Sequence, residues 1–145
     1  MATTESMKAR DVMHAGTQCV GENQTLLDAS RMMRDLNVGC VPICGSDDRL
    51  KGMITDRDIV VRCCAEGREP ASVMASEFAG ELHWIDAEAP ITETLEIMET
   101  HQIKRLPVID VRNGHRLVGM ISEANLARNI PDEQLAEFVE RVYAA

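Results

Sequence analysis

Two short runs carry the residue types that can grip an anionic ligand: Thr55-Asp56-Arg57-Asp58 and Ser122-Glu123-Ala124-Asn125. Each places a hydroxyl at the end of a β-rich run and an oxygen acceptor three residues later, in the first turn of a following helix. A helix N-terminus presents unpaired N–H groups and partial positive charge, which suits phosphate. Thr55 can donate its hydroxyl to a phosphate oxygen, and Arg57 can pair with the phosphate charge. The acceptor-only carboxylate of Asp58 suits the two hydroxyls of a ribose. In the second run Asn125 accepts more weakly than a carboxylate, Ala124 stands where the first run has Arg57, and Glu123 adds negative charge that Lys104 or Arg105 can offset. The first run is expected to make the better site. A plainer reading stays open beside it, because S/T-x-x-D/E is also a common helix-capping pattern.

The elements that position these runs occur twice. Arg49-Leu50-Lys51-Gly52-Met53-Ile54-Thr55 returns as Arg116-Leu117-Val118-Gly119-Met120-Ile121-Ser122, and Val41-Pro42-Ile43 returns as Leu106-Pro107-Val108. At the offset of that second match, Val20, Leu26, Met33 and Val38 meet Ile85, Ile91, Met98 and Ile103. Val12-Met13 and Val73-Met74 head the two copies. Each copy reads β-α-β-β-α. A short apolar run (Cys19-Val20; Trp84-Ile85) precedes a helix, which in the first copy has Leu26, Ala29, Met33 and Leu36 on one face. Asn23 or Thr25 can start that helix, and Pro90 suits the start of its counterpart. Two β runs follow, Val38–Ile43 and Leu50–Ile54, with Ile103–Ile109 and Leu117–Ile121 in the second copy, and then helices near Asp56 and from Glu123. A proline inside each first run implies an edge strand or a break in pairing that frees backbone groups for a ligand.

The expected fold class is α+β, with tandem repeats related by a pseudo-twofold axis in one compact module. Residues 7–66 form the first motif, 67–130 the second, and 131–145 a C-terminal helix with Leu135, Phe138, Val139 and Val142 on one stripe. That stripe can cover the domain or pair with a second chain. With few aromatic residues (one Trp, one Tyr, two Phe), the core must be aliphatic. Met32, Met33, Met53, Met98 and Met120 read as gap-filling core. The net charge of −9 argues against nucleic acid as a partner. No apolar run approaches membrane-spanning length, and Met1 to Arg10 lacks a signal-like stretch, so the cytoplasm is the expected location.

No catalytic constellation emerges, and none is expected. His14, His83, His101 and His115 show no H-x-x-x-H or H-E-x-x-H spacing, although His101 and His115 can approach one another, and no metal site is expected. The five cysteines include no C-x-x-C pair, and no positioned base for a thiolate is visible.

The apolar-x-apolar-Pro strand followed by G-h-h-[ST]-x-x-[DN] resembles the CBS domain, and the resemblance covers both copies from about Arg10 to Arg128. The chain is therefore similar to a stand-alone CBS pair, or Bateman module. With Pro42-Ile43-Cys44-Gly45 included, it is similar to actinobacterial CBS-pair proteins of the hypoxic response type. The resemblance implies regulatory binding of an adenine nucleotide (AMP, ADP, ATP, NAD or S-adenosylmethionine) in clefts between the motifs. It requires no cofactor, and implies a homodimer and a protein partner that reads the bound state. It assigns Thr55, Arg57 and Asp58 to the nucleotide, with Gly39 and Cys40 on the adenine side, and Ser122, Asn125, Lys104 and Arg105 in the second copy. The alternative is a stress-response or structural member that binds no nucleotide and acts through dimerisation, thiol state or a protein partner. In this fold Cys19 opens one β run and Cys44 ends the neighbouring run, so the two can form a disulfide or remain buried thiols.

Overall fold

The computed structural model describes residues 7–80 and 82–144; the first six residues of the N-terminal stretch, Glu81 and Ala145 lie outside the described residues. The elements run α1 (Ala9–Val12), β1 (His14–Ala15), β2 (Val20–Gly21), α2 (Leu26–Leu36), β3 (Cys40–Cys44), β4 (Leu50–Thr55) and α3 (Asp56–Ile59). A π-helical turn at Val60–Cys64 continues α3, and two 3-10 turns follow at Pro70–Ser72 and Ala75–Phe78. Then come β5 (Ile85–Asp86), α4 (Ile91–His101), β6 (Arg105–Asp110), β7 (Arg116–Ser122), α5 (Glu123–Asn129) and α6 (Asp132–Val142). The mixed α/β fold carries the duplicated pattern expected from the sequence.

Two sheets form, one in each packing unit. The first has strand order β2-β3-β4 and the second β1-β7-β6-β5. Their registers match residue for residue. Cys40, Val41, Pro42 and Ile43 face Thr55, Ile54, Met53 and Gly52. Arg105, Leu106, Pro107 and Val108 face Ser122, Ile121, Met120 and Gly119, and both ladders shift register just after Ile43 and Val108. The prolines sit on central strands. Each nevertheless borders a stretch with one partner only, because the two-residue strands β2 and β5 begin pairing at Ile43 and Val108. A proline is tolerated there because the ladder on that side has not begun.

The chain divides into two compact units, residues 18–80 with Leu82, and residues 7–17 with 83–144. The head of each repeat thus packs with the other repeat, and the packing units do not follow the sequence boundary at 66/67. Val73 and Ala75 are buried in the first unit's core with Val20, Leu26, Ile43 and Ile54, while Met7, Ala9 and Val12 join Ile85, Ile91, Val108 and Ile121 in the second. The backbone bonds are mirrored. The Leu26 and Ala75 N–H groups donate to Val73 O and Gln24 O, as those of Ile91 and Ala9 donate to Met7 O and Ala89 O.

This exchange explains the glycine in each G-M-I-[ST] run. A Cβ on Gly52 would lie 2.8 Å from Ala79 Cα, and one on Gly119 2.8 Å from His14 O, because the exchanged segment crosses the strand there. The tail also belongs to the second unit. Phe138 and Val142 are buried in its core with Leu135 packed against it, whereas Val139 stays on the surface. No helix among the described residues is long and apolar enough to cross a membrane.

Candidate functional site

In the first unit Thr55 ends β4 in extended backbone and caps α3. Its Oγ1 accepts from the Asp58 N–H at 3.0 Å, and Asp58 Oδ2 accepts from the Thr55 N–H at 3.0 Å. The capping role therefore exists. It does not exhaust the threonine: among the described residues no acceptor stands opposite the Thr55 hydroxyl hydrogen. The other capping boxes differ. Thr25 Oγ1 donates to Asp28 Oδ2 at 3.1 Å, and Ser122 Oγ donates to Asn125 Oδ1 at 2.9 Å. Of these three caps, Thr55 alone makes no hydroxyl donation to the side chain of its box partner.

The register sets Gly39 and Cys40 beside Thr55, because Cys40 faces Thr55 across the ladder and Gly39 O accepts from the Asp56 N–H at 2.9 Å. A Cβ on Gly39 would lie 3.1 Å from Asp56 Oδ2, so a side chain here would crowd that carboxylate. Arg57 is exposed, and among the described residues its guanidinium has no partner. Asp58 Oδ1 lies 3.8 Å from the Arg62 guanidinium, which in turn stacks 4.4 Å above the Phe78 ring. Arg62 and Phe78 were not singled out by motif reasoning. The i, i+4 spacing of Asp58 and Arg62 signals the first contact, but Phe78 arrives through the exchanged linker.

The second unit brings its own expected residues together differently. Ser122 N–H and Oγ both donate to Asn125 Oδ1, at 2.8 and 2.9 Å, and the Asn125 N–H returns to Ser122 Oγ at 3.4 Å. Arg105 faces Ser122 across the ladder and is exposed. Lys104 Nζ lies 4.3 Å from the centre of the Tyr143 ring, and Tyr143 Oη donates to Glu123 Oε1 at 2.7 Å.

The cysteines and histidines also find places. Cys19 and Cys44 are joined in a disulfide with their Cα atoms 5.7 Å apart, at the corner where β2 meets β3. Cys40, Cys63 and Cys64 are outside it. Burial pushes the Cys63 thiol up from its ordinary value, away from nucleophilic character. His101 stacks on His83 with ring centres 3.8 Å apart, and His115 meets Trp84 edge-on at 5.2 Å. The sequence allowed an approach of His101 to His115 but favoured lone surface histidines; the ring contacts observed are with His83 and Trp84.

A repeated β-α-β-β-α unit with this proline strand and this hydroxyl-capped helix defines the class, and the chain belongs to the CBS domain family, whose model matches residues 9–63 and 71–132. It is a CBS pair, a regulatory module. Hypoxic response protein 1 of Mycobacterium tuberculosis is 47% identical over 135 residues, 92% of each chain. A CBS domain-containing protein of Bacillus subtilis, YhcV, is 35% identical over 120 residues, 83% of each. Among solved structures, Hypoxic Response Protein I with two coordinated zinc ions matches with TM-score 0.79 and 50% identity over 86% of this chain and all of that one. The CBS domain pair of protein MJ0100, in complex with 5-methylthioadenosine and S-adenosyl-L-methionine, shares the fold at 20% identity and TM-score 0.72 over 84% and 94%.

The zinc of that relative can be tested against the residues present. Among the described residues no three His, Cys, Asp or Glu side chains converge to hold a metal ion. Zinc sites take four ligands, three of them from protein even when catalytic. The described part of one chain does not fit the ion by itself.

Proposed function

We propose that this CBS pair is a ligand sensor that binds an adenine nucleotide on the first unit, at Thr55, Arg57, Asp58, Gly39 and Cys40. One observation carries the reading: Thr55 caps its helix without donating its hydroxyl hydrogen to Asp58, and two residues on, the exposed Arg57 guanidinium has no partner among the described residues. A phosphate oxygen satisfies both donors, and the remaining acceptor capacity of Asp58 takes ribose hydroxyls. Gly39 and the half-buried Cys40 stand beside Thr55 in the ladder and would form the adenine side. The adenosyl ligands bound by the MJ0100 pair support the ligand class. Binding shifts the population of packing states, and a homodimer or protein partner in the cytoplasm reads that shift.

The test is a thermal-shift series with AMP, ADP, ATP, NAD and S-adenosylmethionine. A ligand at one hundred times its Kd stabilises the native state by about 2.7 kcal/mol, a rise of several degrees in Tm. Thr55→Ala or Asp58→Ala should abolish the shift. A flat response to every nucleotide sinks the reading.

A second reading rests on the Cys19–Cys44 disulfide and on the likeness to a hypoxic response protein. In it the module responds to thiol state and acts through dimerisation or a protein partner. A change in dimerisation on reduction, read by light scattering and reproduced by Cys44→Ser, would favour this second reading.

A further inference from the structure

We infer that Tyr143, near the end of the C-terminal tail, occupies the second copy's ligand position, so that the intact chain takes one nucleotide and not two. The inference rests on the nucleotide reading of the first unit and adds to it which residue makes the two copies unequal. In the first copy, Gly39 and Asp56 bracket the start of the capped helix, with the Asp56 N–H donating to Gly39 O at 2.9 Å, and no aromatic ring stands between them among the described residues. By register their counterparts are Lys104 and Glu123, and the Tyr143 side chain spans these two. Its ring lies under the Lys104 ammonium at 4.3 Å, and its hydroxyl donates to Glu123 at 2.7 Å. A cation over a ring face and a hydrogen bond to a carboxylate are both favourable, so the contact holds its place without a ligand.

Neighbouring contacts keep the tail there. Gln102 Nε2 donates to Ala144 O at 2.6 Å and to Arg141 O at 3.3 Å, and Arg141 pairs with Glu99 at 3.1 Å. Val142, directly before the tyrosine, is buried in the core. The Ser122 hydroxyl is committed too, since its hydrogen goes to Asn125. Lys104, which the family pattern offers to a ligand, is engaged by the chain's own aromatic ring. Tyr143 itself is half exposed, at 52%, so its ring can be removed without cutting into the core.

Isothermal titration calorimetry with AMP and with ATP, on the full chain and on Tyr143→Ala and Tyr143→Phe, decides the matter. The expected result is one site in the native chain, two in Tyr143→Ala, and an intermediate gain in Tyr143→Phe, which keeps the ring over Lys104 but loses the bond to Glu123. Circular dichroism and Tm of Tyr143→Ala verify that it is folded. One site in both the native chain and Tyr143→Ala overturns the inference and leaves the nucleotide reading standing. Two sites in the native chain overturn it as well. A site that appears only in Tyr143→Ala upholds the inference and overturns the first-unit reading, and no heat from any of the proteins overturns both.

Discussion

At the first strand–helix junction Thr55 faces Asp58, Arg57 has no partner among the described residues and Gly39 brings no side chain; at the second, Ser122 faces Asn125, Ala124 is uncharged and Lys104 lies against Tyr143. The backbones that carry these side chains pair in the same register, down to the shift after Ile43 and Val108. Equal scaffolds thus hold unequal donors. A second contrast lies at the corner where the short strand meets the proline strand. The first unit joins this corner covalently through Cys19 and Cys44. In the second unit Arg10, from the exchanged head, bridges Glu88 at 2.9 Å and Asp110 at 3.3 Å, and Lys8 adds a bond to Glu88 at 2.8 Å. The lesson is that the repeat dictates geometry, while function and reinforcement are set by substitutions that leave the geometry untouched.

The sharpest way to break the comparison is Phe138→Ala. This side chain is fully buried and serves the second unit alone, so its loss should cost about 3 to 5 kcal/mol there. Hydrogen exchange should show the β5–β7 amides losing protection before those of β2–β4, and equal loss in both would sink the assignment of α6. Next, reduction or Cys44→Ser should destabilise the first unit by roughly 3 kcal/mol, since the bond closes a loop with sequence separation 25. Urea midpoints with and without reductant measure it, and an unchanged midpoint would mean the bond contributes nothing.

Smaller effects sharpen the picture. Thr94 Oγ1 is buried in α4 without a hydrogen-bond partner among the described residues, where the first copy has Ala29. Thr94→Val should therefore be neutral or stabilising by up to about 1 kcal/mol, read from chemical denaturation. Loss of more than that would reveal a hidden partner for the hydroxyl.

The last prediction concerns acid. Hydrogen bonds from Lys8 and Arg10 hold the Glu88 carboxyl below its ordinary value, and bonds from Asn113 and Arg10 do the same for Asp110. A carboxyl whose folded value is depressed stabilises the fold above its unfolded value, near pH 4, and loses that contribution as pH falls through its folded value. The native chain should therefore lose stability steadily below about pH 4. Arg10→Met should flatten that part of the Tm–pH curve while changing it little near neutrality, because exposed ion pairs contribute modestly. An unchanged acid slope would remove Arg10 from the account.

Much of this was legible in the residues. The helix over Leu26–Leu36 begins at Thr25 and its counterpart follows Pro90, as capping chemistry and apolar periodicity require. The β runs fall where expected, beginning two residues later than read at Cys40 and Arg105, because Asn37 and Gln102 close their helices in the left-handed conformation before pairing starts. The proline strands were read as edges or breaks and turned out to be central strands with a short neighbour, a distinction that depends on the length of β2 and β5 and not on Pro42 or Pro107 themselves.

What the sequence determined alone is the repeated unit, its aliphatic faces and the residue types at each junction, because these follow from local periodicity and chemical identity. Only the tertiary structure decided that each repeat lends its head to the other, that the Thr55 hydroxyl makes no donation to the side chain of its box partner while that of Ser122 does, and that Tyr143 reaches Lys104. Those outcomes depend on which distant segments a surface meets, and contacts between residues far apart in the chain leave no mark on local pattern.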